Sequence, residues 1–426
     1  MTAPASAWPD DPAAMRETAF AFDLKRLERR FLDDPYPLYR ALREHDPVHL
    51  MPDGSWFLSR YEDCAAVYRD ADTWSSDKTV DFRPNFGDSL LYEHHTTSLV
   101  FNDPPYHTRV RRLLAAAFTP RALRTLQPRV EALVDRLLDD LAARRRFDLI
   151  EDFASAIPVQ LIGDMLGVPE EERGPLRGWS LAILGALEPV LSPEQRSRGI
   201  AAVAEFKTYL ADLVERRHAD PRPETGEILS TLVAASEFAG SEGAGERLTG
   251  LELLHNCIFL LNAGHETTTN LIGNGIDLLL RHPGAWAELR REPALVESAV
   301  EEFLRLESSN QLGNRRARRD TVLAGTTMHA GSYVHIGIGA ANRDPAQFAD
   351  PERLDLRRHP NRHLAFATGI HACAGMSLAR MEAEVAIGRL VQRFAAVERD
   401  GEPVRGGRAR FRGFLRYPLR AEGGGR

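Results

Sequence analysis

Phe366-Ala367-Thr368-Gly369-Ile370-His371-Ala372-Cys373-Ala374-Gly375 runs straight into an apolar-periodic segment from Met376 to about Phe394. A lone cysteine is most often a small buried hydrophobe, but the surroundings of Cys373 point elsewhere. Two glycines, Gly369 and Gly375, bracket the sulfur, so the backbone can turn sharply and approach a flat ligand closely. The helix predicted just after it offers free N–H groups that stabilise a thiolate. Contacts of that kind tune a sulfur bound to a metal. His371 alone is readable as a satisfied core histidine; two residues from the sulfur, it reads better as a donor to an anionic ligand edge. A thiol hydrolase built on Cys373 and His371 is a poor reading, because residues i and i+2 of a tight loop rarely align as nucleophile and base.

About a hundred residues upstream, Ala263-Gly264-His265-Glu266-Thr267 lies inside a long apolar helix predicted over 248–281. A mid-helix glycine costs about 1 kcal/mol relative to alanine, and a buried acid and hydroxyl cost more unless they find partners. Ala263 and Thr267 share a face at i,i+4, with Gly264 beside them. That is a groove of small residues ending in a hydroxyl, with room for dioxygen. Asn262 just before it reads equally as a packed polar residue or as one that touches substrate or water.

The Cys373 decapeptide resembles the cysteine-ligand loop of the cytochrome P-450 family, Phe-x-x-Gly-x-His/Arg-x-Cys-x-Gly, at every fixed position. Ala367 stands where that family commonly has glycine, and Ala374 where a larger aliphatic is common. Ala263–Thr267 resembles its oxygen-activation motif, Ala-Gly-x-Asp/Glu-Thr. The resemblance implies that Cys373 ligates the iron of haem b, with Phe366, Gly369, His371 and Gly375 around the cofactor and Ala263 and Gly264 across it. It makes Thr267 the residue of dioxygen activation and Glu266 a proton-delivery group. It pairs Glu302 with Arg305 and adds Arg353 as the third member of a structural triad. His107 and Arg111, spaced i,i+4, join Arg315 and His371 as donors to the haem propionates, with Arg316 the adjacent alternative to Arg315. Ser309 replaces a proline that often follows the Glu–Arg pair, so the strand entering the pocket is expected to take a different path.

By the same analogy the substrate pocket draws on Phe82, Phe86, Leu90, Leu99, Leu181, Leu184, Phe259, Asn262, Asn310, Gln311 and Phe414. That mix suits a largely apolar molecule with a polar handle. The implied activity is a haem-thiolate monooxygenase that takes dioxygen and electrons from separate partners, a ferredoxin and its reductase. A haem-thiolate peroxygenase is the near alternative, disfavoured by the retained Glu266-Thr267 pair. A non-enzymatic haem protein, a gas sensor or carrier, is the distant one. Arg109, Arg112 and Arg380 could form a basic docking patch, or simply a solvated face of an Arg-rich chain.

Composition agrees with an ordinary globular enzyme: 426 residues, 43% hydrophobic and 27% charged. The net charge of −7 argues against nucleic acid as a partner. Three cysteines, at 64, 257 and 373, are too few for a disulfide framework or an iron–sulfur cluster. No apolar run suggests a membrane span or a secretory leader, so a cytoplasmic monomer is expected. The fold class is mainly α with small β-sheets, and the resemblance implies one triangular helical domain over 1–426, haem between the long central helix and the Cys373 loop, with 1–23 an extended arm. Helices are predicted over about 36–45, 61–70, 106–117, 121–142, 151–166, 193–218, 248–281, 295–307 and 376–394. A hairpin is predicted at 48–59 around Pro52-Asp53-Gly54, with strands near 322–324, 333–338 and 410–418. Residues 75–103 read as a long aromatic loop, of the kind that is usually functional or disordered, and 238–246 as a flexible one.

Overall fold

The structure, a computed structural model, describes residues 8–115, 118–222, 227–234, 236 and 247–421. The segment 238–246 therefore lies outside the described residues. The helices are α1 (Pro12–Phe20), α2 (Arg29–Asp33), α3 (Tyr36–His45), α4 (Tyr61–Arg69), α5 (Thr79–Phe86), α6 (Leu90–Thr97), α7 (Tyr106–Ala115), α8 (Pro120–Arg144), α9 (Ala156–Leu166), α10 (Leu176–Gly185), α11 (Pro193–Ala219), α12 (Ile228–Ala234), α13 (Gly250–Arg281), α14 (Pro283–Arg291), α15 (Val296–Leu306), α16 (Ile338–Ala341) and α17 (Met376–Arg393).

The axis of the molecule is α13. Its start is fixed by a capping box: the Thr249 hydroxyl accepts from the Glu252 N–H at 3.2 Å, and Glu252 accepts from the Thr249 N–H at 2.9 Å. It ends where Pro283 can no longer continue the ladder. Between these points nearly every face is apolar because nearly every face is covered, by α9, α10, α11, α15 and α17. Gly264 shows the closeness of this packing: a Cβ there would stand 2.9 Å from Ile162 Cδ1 of α9.

The largest sheet has five strands in the order β1 (Val48–Leu50), β2 (Trp56–Leu58), β8 (Tyr333–Gly337), β5 (Leu312–Ala317) and β3 (Trp74–Ser75). The predicted hairpin is its β1–β2 edge, antiparallel with His49 opposite Phe57. A three-stranded sheet orders β4 (Arg146–Asp148), β12 (Pro418–Ala421) and β9 (Val397–Arg399). Two hairpins, β6 (Thr321–Leu323) with β7 (Thr326–Met328) and β10 (Val404–Arg405) with β11 (Phe414–Arg416), complete the described strands. No helix among the described residues is long and apolar enough to cross a membrane.

Two expectations are corrected here. Residues 75–103 are not a loop but two short helices, α5 and α6, followed by a 3-10 turn at Leu99–Phe101. Each is barely two turns long and Pro84 interrupts α5, so no helical period develops in the sequence. The N-terminal segment is not wholly extended either: α1 packs on α3 and buries Ala19 completely.

Candidate functional site

A cavity of about 330 Å³ opens between α13 and the loop that precedes α17. One wall carries Phe366, Ala367, His371, Cys373 and Gly375; the facing wall carries Ala263, Gly264 and Thr267 of α13. The sequence-predicted residues of the two main motifs thus meet across one space, with the exceptions named below.

The cysteine loop is shaped by its backbone. Gly369 sits at φ +78°, and a Cβ there would collide with the backbone oxygen of Tyr68 on α4. Ala367 also adopts a left-handed conformation, φ +53°, without being glycine. The Cys373 N–H donates to the Phe366 carbonyl at 2.9 Å, closing the loop under the sulfur. Burial pushes the Cys373 thiol up, while the Gly375 N–H opposes that shift.

At one end of the cavity stand His107, Arg111, Arg315 and His371. The His107 and His371 rings are 4.1 Å apart. Burial first, then the neighbouring arginines, lowers both: His107 to about 4 and His371 to about 2. Both ring nitrogens of His107 and Nε2 of His371 are buried without a hydrogen-bond partner. Arg315 is buried and donates to the Asn314 carbonyl at 2.7 Å. Two arginines beside two histidines with unpartnered ring nitrogens fit a dianionic ligand edge, and a cysteine facing a groove of small residues fits a flat metal-bearing ring between them. The structure also chooses between the adjacent arginines. Side chains alternate along β5, so Arg316 points the other way, to Asp81 and the Gly331 carbonyl.

Thr267 lines the cavity, its hydroxyl donating to the Ala263 carbonyl at 2.7 Å. Glu266 points away from it. Its carboxylate pairs with Arg408 and borders a separate cavity of about 20 Å³, beside Arg177 and His265, which is room for one water. Burial raises the Glu266 pKa, and Arg408 opposes the rise.

The Glu302–Arg305 pair is fully buried, with both guanidinium–carboxylate bonds at 2.8 Å. The third side chain is Arg358, whose Nε donates to Glu302 at 3.1 Å, and not Arg353. A turn closed by the Arg353 N–H on the Asp350 carbonyl leaves Arg353 exposed, giving Arg305 only its backbone oxygen at 3.3 Å. Arg305 also donates to the Asn342 and Pro351 carbonyls at 3.0 and 2.7 Å, so the pair ties α15 to the segment leading to the cysteine loop.

Of the proposed pocket residues, Leu99, Leu184, Phe259, Asn262 and Asn310 line the cavity. Phe82 and Phe86 do not; they pack edge-on against each other and around His95. Leu90 packs into the core, and Leu181 and Phe414 border the small cavity beside Glu266. Gln311 turns back to the Ser308 carbonyl at 2.7 Å. Of the arginines that read either as a docking patch or as a solvated face, Arg109 is held by Glu252 and the Arg247 carbonyl, and Arg380 by Glu301. Sequence reasoning missed His94 and His95, which line the cavity from α6, and Glu382 of α17, buried and pushed up to about 8 by desolvation. The adjacent histidines in an aromatic-rich stretch were the available signal for the first two; Glu382 gave none.

Residues 181–418 match the family described as cytochrome P-450. The chain is 39% identical to the vitamin D(3) 25-hydroxylase of Pseudonocardia autotrophica, over 84% of this chain and 86% of that one. It is 38% identical to the cytochrome P-450 monooxygenase PikC of Streptomyces venezuelae, over 93% and 94%. A cytochrome P-450 of Bacillus megaterium, solved in complex with testosterone, superposes with a TM-score of 0.83 at 31% identity, covering 92% of this chain and 99% of that one.

Proposed function

The chain belongs to the cytochrome P-450 family, and from that premise we propose that Cys373 is the proximal ligand of its haem iron. The protein is a haem-thiolate monooxygenase of the bacterial type, with protoporphyrin IX iron as cofactor. It oxidises a small organic molecule with dioxygen and electrons from redox partners. Haem, when bound, supplies reductive activation of dioxygen and transfer of one oxygen atom to substrate.

The protein's own part is to hold, orient and deliver protons. His107, Arg111, Arg315 and His371 would hold the two propionates, the unpartnered ring nitrogens of His107 and His371 being free to pair with them. The Thr267 hydroxyl, which lines the cavity, already donates a hydrogen bond to the Ala263 carbonyl, so its oxygen is left to accept one. Glu266 takes protons from the small cavity beside Arg408 and passes them inward. That requires its carboxylate to turn from Arg408 toward Thr267, and the raised pKa eases the turn by favouring the neutral acid. The Glu302–Arg305–Arg358 cluster keeps the cysteine loop in place.

The substrate is a mainly apolar molecule, in keeping with Leu99, Ile183, Leu184 and Phe259 along the cavity, and a secosteroid or steroid such as those named for the relatives is a fair first trial. A ferredoxin is the electron donor, and the enzyme works as a cytoplasmic monomer built as one domain. The observation that carries this reading is the meeting, around one cavity, of Cys373, the Ala263–Thr267 groove and a cluster of Arg111, Arg315 and the unpartnered imidazoles of His107 and His371. Its test is the absorption spectrum of the dithionite-reduced protein with carbon monoxide. A strongly red-shifted Soret band in the wild type that is absent from Cys373→Ser is expected. A band at the histidine-ligated position in the wild type would overturn it.

A further inference from the structure

The α13 wall of the cavity on the N-terminal side of Ala263 is not uniformly apolar. Asn262 is 2% exposed, lines the cavity, and has neither a donor for its Oδ1 nor an acceptor for its Nδ2. A buried carboxamide left with both ends unpaired is costly in a protein interior, so its place on the cavity wall points to a ligand that pairs with it. One helical repeat back along the same face, seven residues and about 10.5 Å of rise away, stands His255. It is the middle of a chain that crosses three helices. The Lys207 ammonium on α11 donates to Glu93 Oε1 at 2.5 Å, His255 Nε2 meets the same oxygen at 2.9 Å, and His255 Nδ1 meets His94 Nδ1 at 3.3 Å.

The chain has only one consistent proton arrangement. The Lys207 and His255 contacts keep Glu93 ionised, and burial keeps both imidazoles neutral. His255 Nε2 must therefore carry its proton toward the carboxylate, which leaves His255 Nδ1 as an acceptor. His94 Nδ1 then donates to it, and His94 Nε2 is left with a lone pair. His94 lines the cavity, and among the described residues no hydrogen bond reaches that nitrogen. Phe82, Phe86 and Phe101 pack around the adjacent His95, holding this part of α6 in place.

We propose that His94 and Asn262 are the specificity-determining pair for the substrate: His94 accepts a hydrogen from a substrate hydroxyl, and Asn262 pairs with a second oxygen function. The substrate class is then a mainly apolar molecule with a hydroxyl and, apart from it, a carbonyl or second hydroxyl. Lys207 and Glu93 are positioning residues that act through His255. This rests on the monooxygenase reading only for the use of the cavity, and its experiment reads binding rather than turnover.

The probes are testosterone, which carries a hydroxyl and a ketone at opposite ends, and its 17-methyl ether, which keeps the ketone and loses the donor. Both are titrated calorimetrically into the ferric, haem-loaded protein, whose carbon-monoxide band is recorded on the same preparation and reports the thiolate reading separately. Wild type should bind testosterone about tenfold more tightly than the ether. His94→Phe should bring the two within twofold, by weakening testosterone alone. Asn262→Leu should weaken both about equally, by fivefold or more. Glu93→Gln, at a half-buried position outside the cavity, should reduce the preference about threefold, and it serves as the readout if His94→Phe does not fold. Equal affinity of wild type for the two probes, absence of heat with both, or a preference that survives in the variants would overturn the proposal.

Discussion

At the residue scale, Cys373, His371, His107 and Arg111, each singled out by its chemistry and chain position together, lie on one cavity. Arg353 was misjudged because the choice between it and Arg358 depends on a turn at Asp350, φ +46°, that neighbouring residue types do not announce. Thr267 carries a sharp prediction. Thr267→Ala removes the hydroxyl from the groove but leaves α13 intact, so electron consumption should persist while product falls and hydrogen peroxide appears. Unchanged coupling, measured as product per NADPH, would remove Thr267 from proton delivery. Ala367 offers a stability prediction. Its φ of +53° costs an L-residue about 1–2 kcal/mol, and glycine returns part of that as extra unfolded-chain entropy. Ala367→Gly should therefore stabilise the protein by about 0.5–1 kcal/mol in urea unfolding; a destabilised variant would show the strain is not local.

Elements divide by length. α13, α11 and α8 span many turns with capped starts, and their periodicity gave them away. α5 and α6 are eight residues each, so the same reasoning saw only a loop with scattered aromatics. Of the pocket residues assigned to that stretch, Leu99 lines the cavity, but two short helices turn Phe82 and Phe86 toward His95 and give the cavity His94. Element-level order also depends on the ion pair within α15 whose arginine reaches the Asn342 and Pro351 carbonyls. Arg305 is wholly buried against Glu302; breaking a buried pair costs up to about 3–5 kcal/mol, and less here because Arg358 still donates to Glu302. Arg305→Ala should yield a chain that holds little haem, judged by the ratio of Soret to protein absorbance. A fully loaded but slow variant would contradict that anchoring role. The cap of α13 is a smaller case: Thr249→Ala should cost about 1 kcal/mol, read in the same urea experiment.

At the scale of the whole molecule, buried imidazoles set the acid limit. Desolvation lowers His95, His265 and His335 to about 3 each. The unfolded chain protonates the same rings near 6.5, so they favour the folded state fully above that pH and progressively less as pH falls toward 3. Each ring contributes a slope of at most about 1.4 kcal/mol per pH unit. Melting temperature should be flat above pH 7 and fall steeply from 6 to 4, and His335→Phe should reduce the slope. An acid limb unaffected by that change would place its origin in the carboxylates.

The rim of His107, Arg111, Arg315 and His371 has a consequence for how the protein is made. A polypeptide whose interior donors are completed by an added small molecule has its folding equilibrium tied to the supply of that molecule, because anything bound only by the native state stabilises it by mass action. Recombinant yield should then follow the porphyrin economy of the host: cells fed a haem precursor should accumulate intact protein, and starved cells should lose it to their proteases, at equal rates of translation.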